Sequence, residues 1–184
     1  MLLETPDVEI GSQAAPFSLT DPDGNSFSLA DVQGQNGLLV AFICNHCPYV
    51  QAIAERLAQD AKVLQAEGVG VVAINSNDYR YVPDDSPPMM KQFAEKYGFS
   101  FPYLVDEDQS VGKTYGAVCT PDFFGFNAQG KLQYRGRLDD ARMGDSKNRK
   151  AELLDAMRQI VLTGHGPEQQ WPSMGCSIKW NQQP

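Results

Sequence analysis

Seven residues, Gly37 to Ile43 (GLLVAFI), run directly into Cys44-Asn45-His46-Cys47-Pro48, and this junction constrains the fold more than any other segment. A continuous apolar run of strand length belongs to a strand buried on both faces, inside a sheet covered by helices. Pro48 dictates where the next element begins, because proline fits the first helical turn and hardly any later position. Val50, Ile53, Ala54, Leu57, Ala61 and Leu64 then recur at helical spacing, with Glu55, Arg56, Gln59 and Lys62 between them, and Gly68 closes the pattern. The chain must turn from buried strand to helix at Cys47.

That position has chemical consequences. Unpaired N–H groups and the helix dipole favour an anion at a helix N-terminus, so a cysteine there carries more thiolate at neutral pH. Cys47 is therefore the expected nucleophile. Cys44, three residues upstream, is its expected resolving partner, and the pair can cycle between dithiol and disulfide. His46 is placed to support the thiolate or move protons; the plainer reading is that it only caps the loop. The plainer reading of both cysteines is that they are small buried hydrophobes, which leaves the placement of Pro48 unexplained.

The rest of the chain alternates elements. Phe17-Ser18-Leu19 and Ser26-Phe27-Ser28 flank Asp21-Pro22-Asp23-Gly24 as a hairpin. Val69 to Ile74 is a second buried strand, and Ser86-Pro87-Pro88 opens a helix running through Phe93 and Tyr97. Tyr103-Leu104-Val105 is a short strand, and Asp108 caps a brief helix ending at Gly116. Phe123–Phe126 and Leu132–Arg135 form a hairpin around 127–130, and a last helix carries Leu153, Leu154, Met157, Ile160 and Val161. The order predicts an α/β fold with a central mixed β-sheet flanked by helices, an N-terminal β-hairpin extension and an irregular C-terminal arm. A single domain over 1–184 is expected, with 164–184 as the arm packed on it.

Composition narrows the function classes. A formal charge of −8 argues against nucleic acid or anionic lipid as a partner, and Lys147-Asn148-Arg149-Lys150 reads as the solvated start of a helix. No apolar run approaches the ~20 residues of a membrane helix. Met1-Leu-Leu-Glu-Thr-Pro-Asp lacks the basic and apolar regions of a signal peptide, so a cytoplasmic location is expected. Four cysteines in such a chain, Cys44, Cys47, Cys119 and Cys176, suggest redox or metal chemistry rather than structural disulfides.

These residues resemble the thioredoxin-like superfamily, in its redoxin, thiol-specific-antioxidant or peroxiredoxin-like branch. Ala15-Pro16-Phe17-Ser18-Leu19, Asp23-Gly24 and Ser28-Leu29-Ala30-Asp31 are similar to that branch's N-terminal extension. The segment Gly37 to Pro48 is similar to its active-site strand, loop and helix start. Thr120-Pro121 with Phe123-Phe124-Gly125-Phe126 is similar to its cis-proline loop and following strand. The resemblance implies that Thr120 and Pro121 face the reactive cysteine and help hold a partner's backbone, and it brings Cys119 near Cys47. His46 and Pro48, which flank Cys47, are expected to join Thr120 and Pro121 in the substrate-binding set.

Two departures stand out. Thioredoxins have the first cysteine opening the helix, whereas here proline follows the second, as it follows the peroxidatic cysteine of peroxiredoxins. Cys44 then takes the place of a threonine, and Arg135 and Arg137 are the candidates for a peroxide-polarising arginine, although as strand-end charges they read as solvated. The counterpart of the buried thioredoxin acid is Ala41, so that proton relay is expected to be absent. Cys176 reads either as an extra resolving thiol delivered by the arm or as a packing residue under Trp180.

The leading expectation is a thiol–disulfide oxidoreductase acting on protein or low-molecular-weight thiols and disulfides, with no cofactor and no bound metal. The alternatives are a thiol peroxidase using Cys47 on peroxide and a copper- or zinc-binding module built on Cys44, His46 and Cys47. A monomer or homodimer is expected.

Overall fold

The computed structural model describes residues 1–181. A seven-stranded sheet forms its centre, in the order β3-β2-β6-β5-β4-β8-β9. β4 (Gly37–Phe42), β5 (Val69–Asn75) and β6 (Tyr103–Val105) run parallel. β8 (Asp122–Phe126) and β9 (Leu132–Gly136) add an antiparallel hairpin on one side. β2 (Ser18–Thr20) and β3 (Ser26–Ser28) add the other, with Thr20 opposite Val105. The hairpin extension and mixed sheet match the α/β, thioredoxin-like expectation.

β4 explains why its sequence is apolar throughout. Successive side chains of a strand point to opposite faces. Leu39, Ala41 and Ile43 enter one core with α2 (Pro48–Ala66), α3 (Pro87–Tyr97) and α5 (Glu152–Thr163). Leu38, Val40 and Phe42 enter the other, with Phe124, Phe126, Val32 of α1 (Leu29–Val32) and Val111 of α4 (Ser110–Tyr115). Both faces are covered, so every residue of β4 is buried. Cys44 and Cys47 belong to the first core, beside Val50, Ile53 and Leu57 of α2.

Helix starts fall close to the expected residues, with differences in how they are capped. Ser86 takes the N-cap backbone position of α3, but its hydroxyl makes no capping bond. Asp108 Oδ1 accepts the Ser110 N–H at 3.0 Å, but the N-cap of α4 is Gln109 in the left-handed region (φ 63°), so Asp108 stands one residue before the capping position. No helix among the described residues is long and apolar enough to cross a membrane.

The arm departs from the irregular reading. Met174–Ser177 forms β10, which pairs on one side with β1 (Leu2–Glu4) and on the other with β7 (Cys119–Thr120). A four-residue strand with glycine at its second position carries no readable period, so only tertiary pairing defines it. The end of the arm, 182–184, lies outside the described residues. Lys147–Lys150 is likewise not a solvated helix start: α5 begins later, and the Arg149 guanidinium is held by Asp60 at 2.6 Å and Asp139 at 3.2 Å.

Candidate active site

The loop Ile43–Cys47 joins β4 to α2, and Cys47 is the N-cap, with φ −73° and ψ 123°. Its carbonyl accepts the N–H groups of Val50 and Gln51, each at 3.0 Å. No acidic side chain lies in the first turn, so nothing opposes the positive end of α2.

The Cys47 thiol is held down to about 4. Hydrogen bonding from the Cys44 thiol contributes most, burial opposes it, and the Cys176 thiol, the Cys176 N–H and the Val50 N–H add to it. The Thr120 carbonyl, 3.4 Å from the Cys47 sulfur, is the neighbour that favours the protonated form. Cys44 moves the opposite way. It hydrogen-bonds to Cys47, is buried and faces the Asp85 charge, which together push its thiol well above the ordinary range. The Thr120 hydroxyl lies 3.2 Å from its sulfur. Two thiols driven apart in this way divide into a nucleophile and a partner that keeps its proton until needed.

His46 is not merely a loop cap. Its Nδ1 lies 2.5 Å from Oδ2 of Asp85, whose side chain is fully buried. Asp85 sits on the short 3₁₀ turn Pro83–Asp85 before α3. It also accepts the Asn45 N–H at 2.6 Å and Asn77 Nδ2 at 2.8 Å. Burial alone would raise its carboxyl; the bonds from His46, Asn45 and Asn77 outweigh that and hold it below its usual value. Asp85 in turn raises His46. The expected lack of a buried acid therefore needs correcting: Ala41 supplies none, but Asp85 enters from another element. Sequence reading missed it because Asp84-Asp85-Ser86-Pro87 looks like an ordinary acidic helix start. Tyr103 was read only as part of a strand, yet its hydroxyl donates to Asn45 Oδ1 at 2.9 Å. Gln51 Nε2 donates to the Asn45 carbonyl at 2.8 Å, so the loop between the two cysteines is fixed from three sides.

The Thr120–Pro121 peptide is cis and faces the cysteines. Cys119 is buried beside them, but its thiol points to the Pro121 carbonyl at 3.9 Å. Burial pushes it up to about 12, which leaves it inert. Cys176 packs against the core that contains Cys44 and Cys47, not under Trp180; Trp180 instead packs in the opposite core, with Lys113 5.6 Å from its ring.

The two arginines are not solvated. Arg135 is buried and bonds Asp122 through Nε at 3.2 Å and Nη2 at 2.8 Å, with Nη2 also donating to the Gly116 carbonyl at 2.9 Å. Its guanidinium stacks over Phe124, its register partner, whose ring lies in the core on the sheet face opposite Cys47. Arg137 pairs with Glu152 at 2.6 Å and lies over Trp171. Hairpin charges read as exposed because sequence does not reveal the long-range partners that neutralise them.

Cys44, His46 and Asp85 place donor atoms within 4.8 Å of one another. A soft or borderline cation would suit the sulfur and imidazole. It would also have to displace the hydrogen bonds that already occupy the Asp85 carboxylate. An open groove of about 320 Å³ runs past His46, lined by Asn45, Gln51, Phe93, Lys96 and Tyr97. A smaller, mainly apolar depression lies beside Pro121, between Tyr49, Ile53, Leu138 and Met174.

Comparison with known proteins agrees with this geometry. An uncharacterised conserved protein from Geobacillus kaustophilus, solved by crystallography, superposes with a TM-score of 0.93 at 44% identity, covering 100% of this chain and 98% of that one. Thiol–disulfide oxidoreductase ResA of Halalkalibacterium halodurans is 26% identical over 122 residues, 66% of this chain and 65% of that relative. A Mycobacterium tuberculosis protein described as a candidate peroxiredoxin is 26% identical over 155 residues, 84% of this chain and 88% of its own. The AhpC/TSA family matches residues 10–135, from the N-terminal extension through the reactive loop and the cis-proline to β9, and the chain belongs to that family.

Proposed function

We propose that this protein is a thiol–disulfide oxidoreductase in which Cys47 is the nucleophile and Cys44 the resolving thiol. The observation that carries it is the placement of Cys47 at the N-cap of α2, with Cys44 three residues before it and both sulfurs against Thr120 of the cis-proline loop; the opposite directions of the two thiol shifts accord with it. The Cys47 thiolate attacks one sulfur of a substrate disulfide, a mixed disulfide forms, and the first substrate thiolate leaves and takes up a proton. Cys44 then loses its proton and attacks the Cys47 sulfur. The Cys44–Cys47 bond forms, the mixed disulfide breaks, and the second substrate thiol departs. The substrate disulfide is reduced and the protein dithiol oxidised, and the reverse sequence oxidises a substrate dithiol. The Asp85 carboxylate, within 4.8 Å of Cys44 and bonded to His46, supports proton movement at the step in which Cys44 is activated. The apolar depression beside Pro121 suits the backbone and side chains of a protein partner.

Arg135 is committed to Asp122 on the far face of the sheet, so the peroxidase alternative loses that arginine as its polarising cation. Mild oxidation followed by peptide mass mapping tests the proposal. The segment 44–47 should lose both thiol hydrogens, and neither Cys44→Ser nor Cys47→Ser should show that loss within the segment. Absence of a Cys44–Cys47 disulfide in wild type and in every variant refutes it. Peroxide consumption faster than disulfide exchange would favour the peroxidase instead.

A further inference from the structure

The thiol pair leaves a third sulfur unexplained. Cys47 and Cys44 are both fully buried, whereas Cys176 on β10 is partly exposed. β10 lies across the site: Cys176 is the register partner of Thr120, whose carbonyl is 3.4 Å from the Cys47 sulfur and whose hydroxyl is 3.2 Å from the Cys44 sulfur. The neighbouring residue shows how close this strand comes. A Cβ on Gly175 would stand 1.8 Å from the Thr120 carbonyl oxygen and 3.1 Å from the Pro121 ring, so β10 is seated directly on the cis-proline loop. Cys176 joins the same packed cluster as Cys44 and Cys47.

We infer that Cys176 is a second resolving thiol, which closes a disulfide with Cys47 and bonds β10 to the start of α2. The inference rests on Cys47 being the nucleophile and adds a competing partner to Cys44. Starting from the mixed disulfide of Cys47 with a substrate thiol, Cys176 loses its proton and attacks the Cys47 sulfur. The Cys47–Cys176 bond forms, the bond from Cys47 to the substrate sulfur breaks, and the substrate thiolate leaves and takes up a proton. The oxidant is the substrate disulfide, so both protein thiols are oxidised as both substrate sulfurs are reduced. Cys176 and Cys44 approach Cys47 from different elements. Burial and Cys47 raise Cys176 to about 11, and Cys44, which is also raised, has no exposure. Cys176 is thus the partner that solvent-borne thiols can reach. An incoming thiol that attacks its sulfur expels Cys47, the thiol of lowest pKa of the three and the best leaving group. Oxidation at Cys176 also fastens the strand that covers the site, so the same bond that resolves the intermediate closes the entrance.

The experiment uses the reduced full chain, its Cys44→Ser, Cys176→Ser and Cys44→Ser/Cys176→Ser variants, and oxidised glutathione as the disulfide. Each is oxidised, quenched by alkylation and mapped by mass spectrometry, with circular dichroism to verify folding. Cys44→Ser is expected to form Cys47–Cys176 and to hold little glutathione. The double variant is expected to trap glutathione on Cys47. Cys176→Ser is expected to retain Cys44–Cys47. A folded Cys44→Ser that keeps glutathione on Cys47 while Cys176 stays free overturns the inference and leaves the Cys44–Cys47 reading intact. Failure of Cys176→Ser to form Cys44–Cys47 counts against the latter reading instead. If Cys44→Ser does not fold, the wild-type digest decides: a 47–176 linkage supports the inference, and its absence at every stage of partial oxidation overturns it.

Discussion

His46 Nδ1 and Asp85 Oδ2 meet at 2.5 Å although 39 residues separate them, and this contact ties the reactive loop to the turn before α3. A carboxylate buried beside an imidazole keeps the ring in one orientation and favours its charged form. Asp85→Asn should therefore lower the His46 pKa toward about 6.5, as read from its imidazole proton shifts. The linked stability changes have defined signs. His46 is raised in the folded state, so its contribution is complete below the unfolded value and is lost as pH rises through the folded one. Asp85 is lowered, so its contribution is present above about 3.9 and is lost as pH falls through its folded value. Denaturant midpoints of Asp85→Asn should show neither dependence.

Thiolate absorbance in the ultraviolet follows Cys47 directly. The reduced protein should show one thiolate near neutrality, disappearing on acidification through about 4. Cys47→Ser should lack it. Cys44→Ala should raise the midpoint more than Cys176→Ala, because the Cys44 thiol is the larger stabiliser of the anion. Equal midpoints in these two variants would contradict that ordering.

The Arg135–Asp122 pair is fully buried, and burial lifts Asp122 to about 6 against the pull of Arg135, so it is ionised at neutral pH. Arg135→Met leaves that charge without a partner and should cost about 3–5 kcal/mol in urea unfolding. Adding Asp122→Asn removes the stranded charge, so the double variant should be more stable than Arg135→Met alone.

Gly175→Ala places a methyl group against the Thr120 carbonyl, which belongs to backbone and cannot swing aside. The expected cost is about 1–3 kcal/mol, comparable to overpacking in a core. Because β10 must lift to relieve the clash, Cys47 should react with a maleimide in the native state much faster than in wild type. Unchanged labelling would show that the strand does not limit access to Cys47.

The parts visible in sequence were those set by local rules. The apolar run of β4, Pro48 after Cys47 and the helical spacing of Val50 through Leu64 placed Cys47 at the start of α2, because proline and periodicity act over a few residues. The groups left unseen arrive from far along the chain. Asp85 comes from a turn 39 residues after His46, and Asp139 reaches Arg56 across 83. β10 is defined by its neighbours on either side and not by its own composition. A buried charge is written in sequence as a plain Asp or Arg; only its partner tells it apart from a solvated one.

β10 also bears on when this protein becomes reactive. Leu2 pairs with Cys176, so the strand over the site is clasped by segments from near opposite ends of the described chain. Such pairings close large loops and are among the slowest contacts to form. Until they do, Cys47 lacks the Cys176 hydrogen bonds, each of which lowers it less than the bond from Cys44 does. The full set of hydrogen bonds to the Cys47 sulfur is therefore expected only once segments from near both ends of the described chain have met through β10.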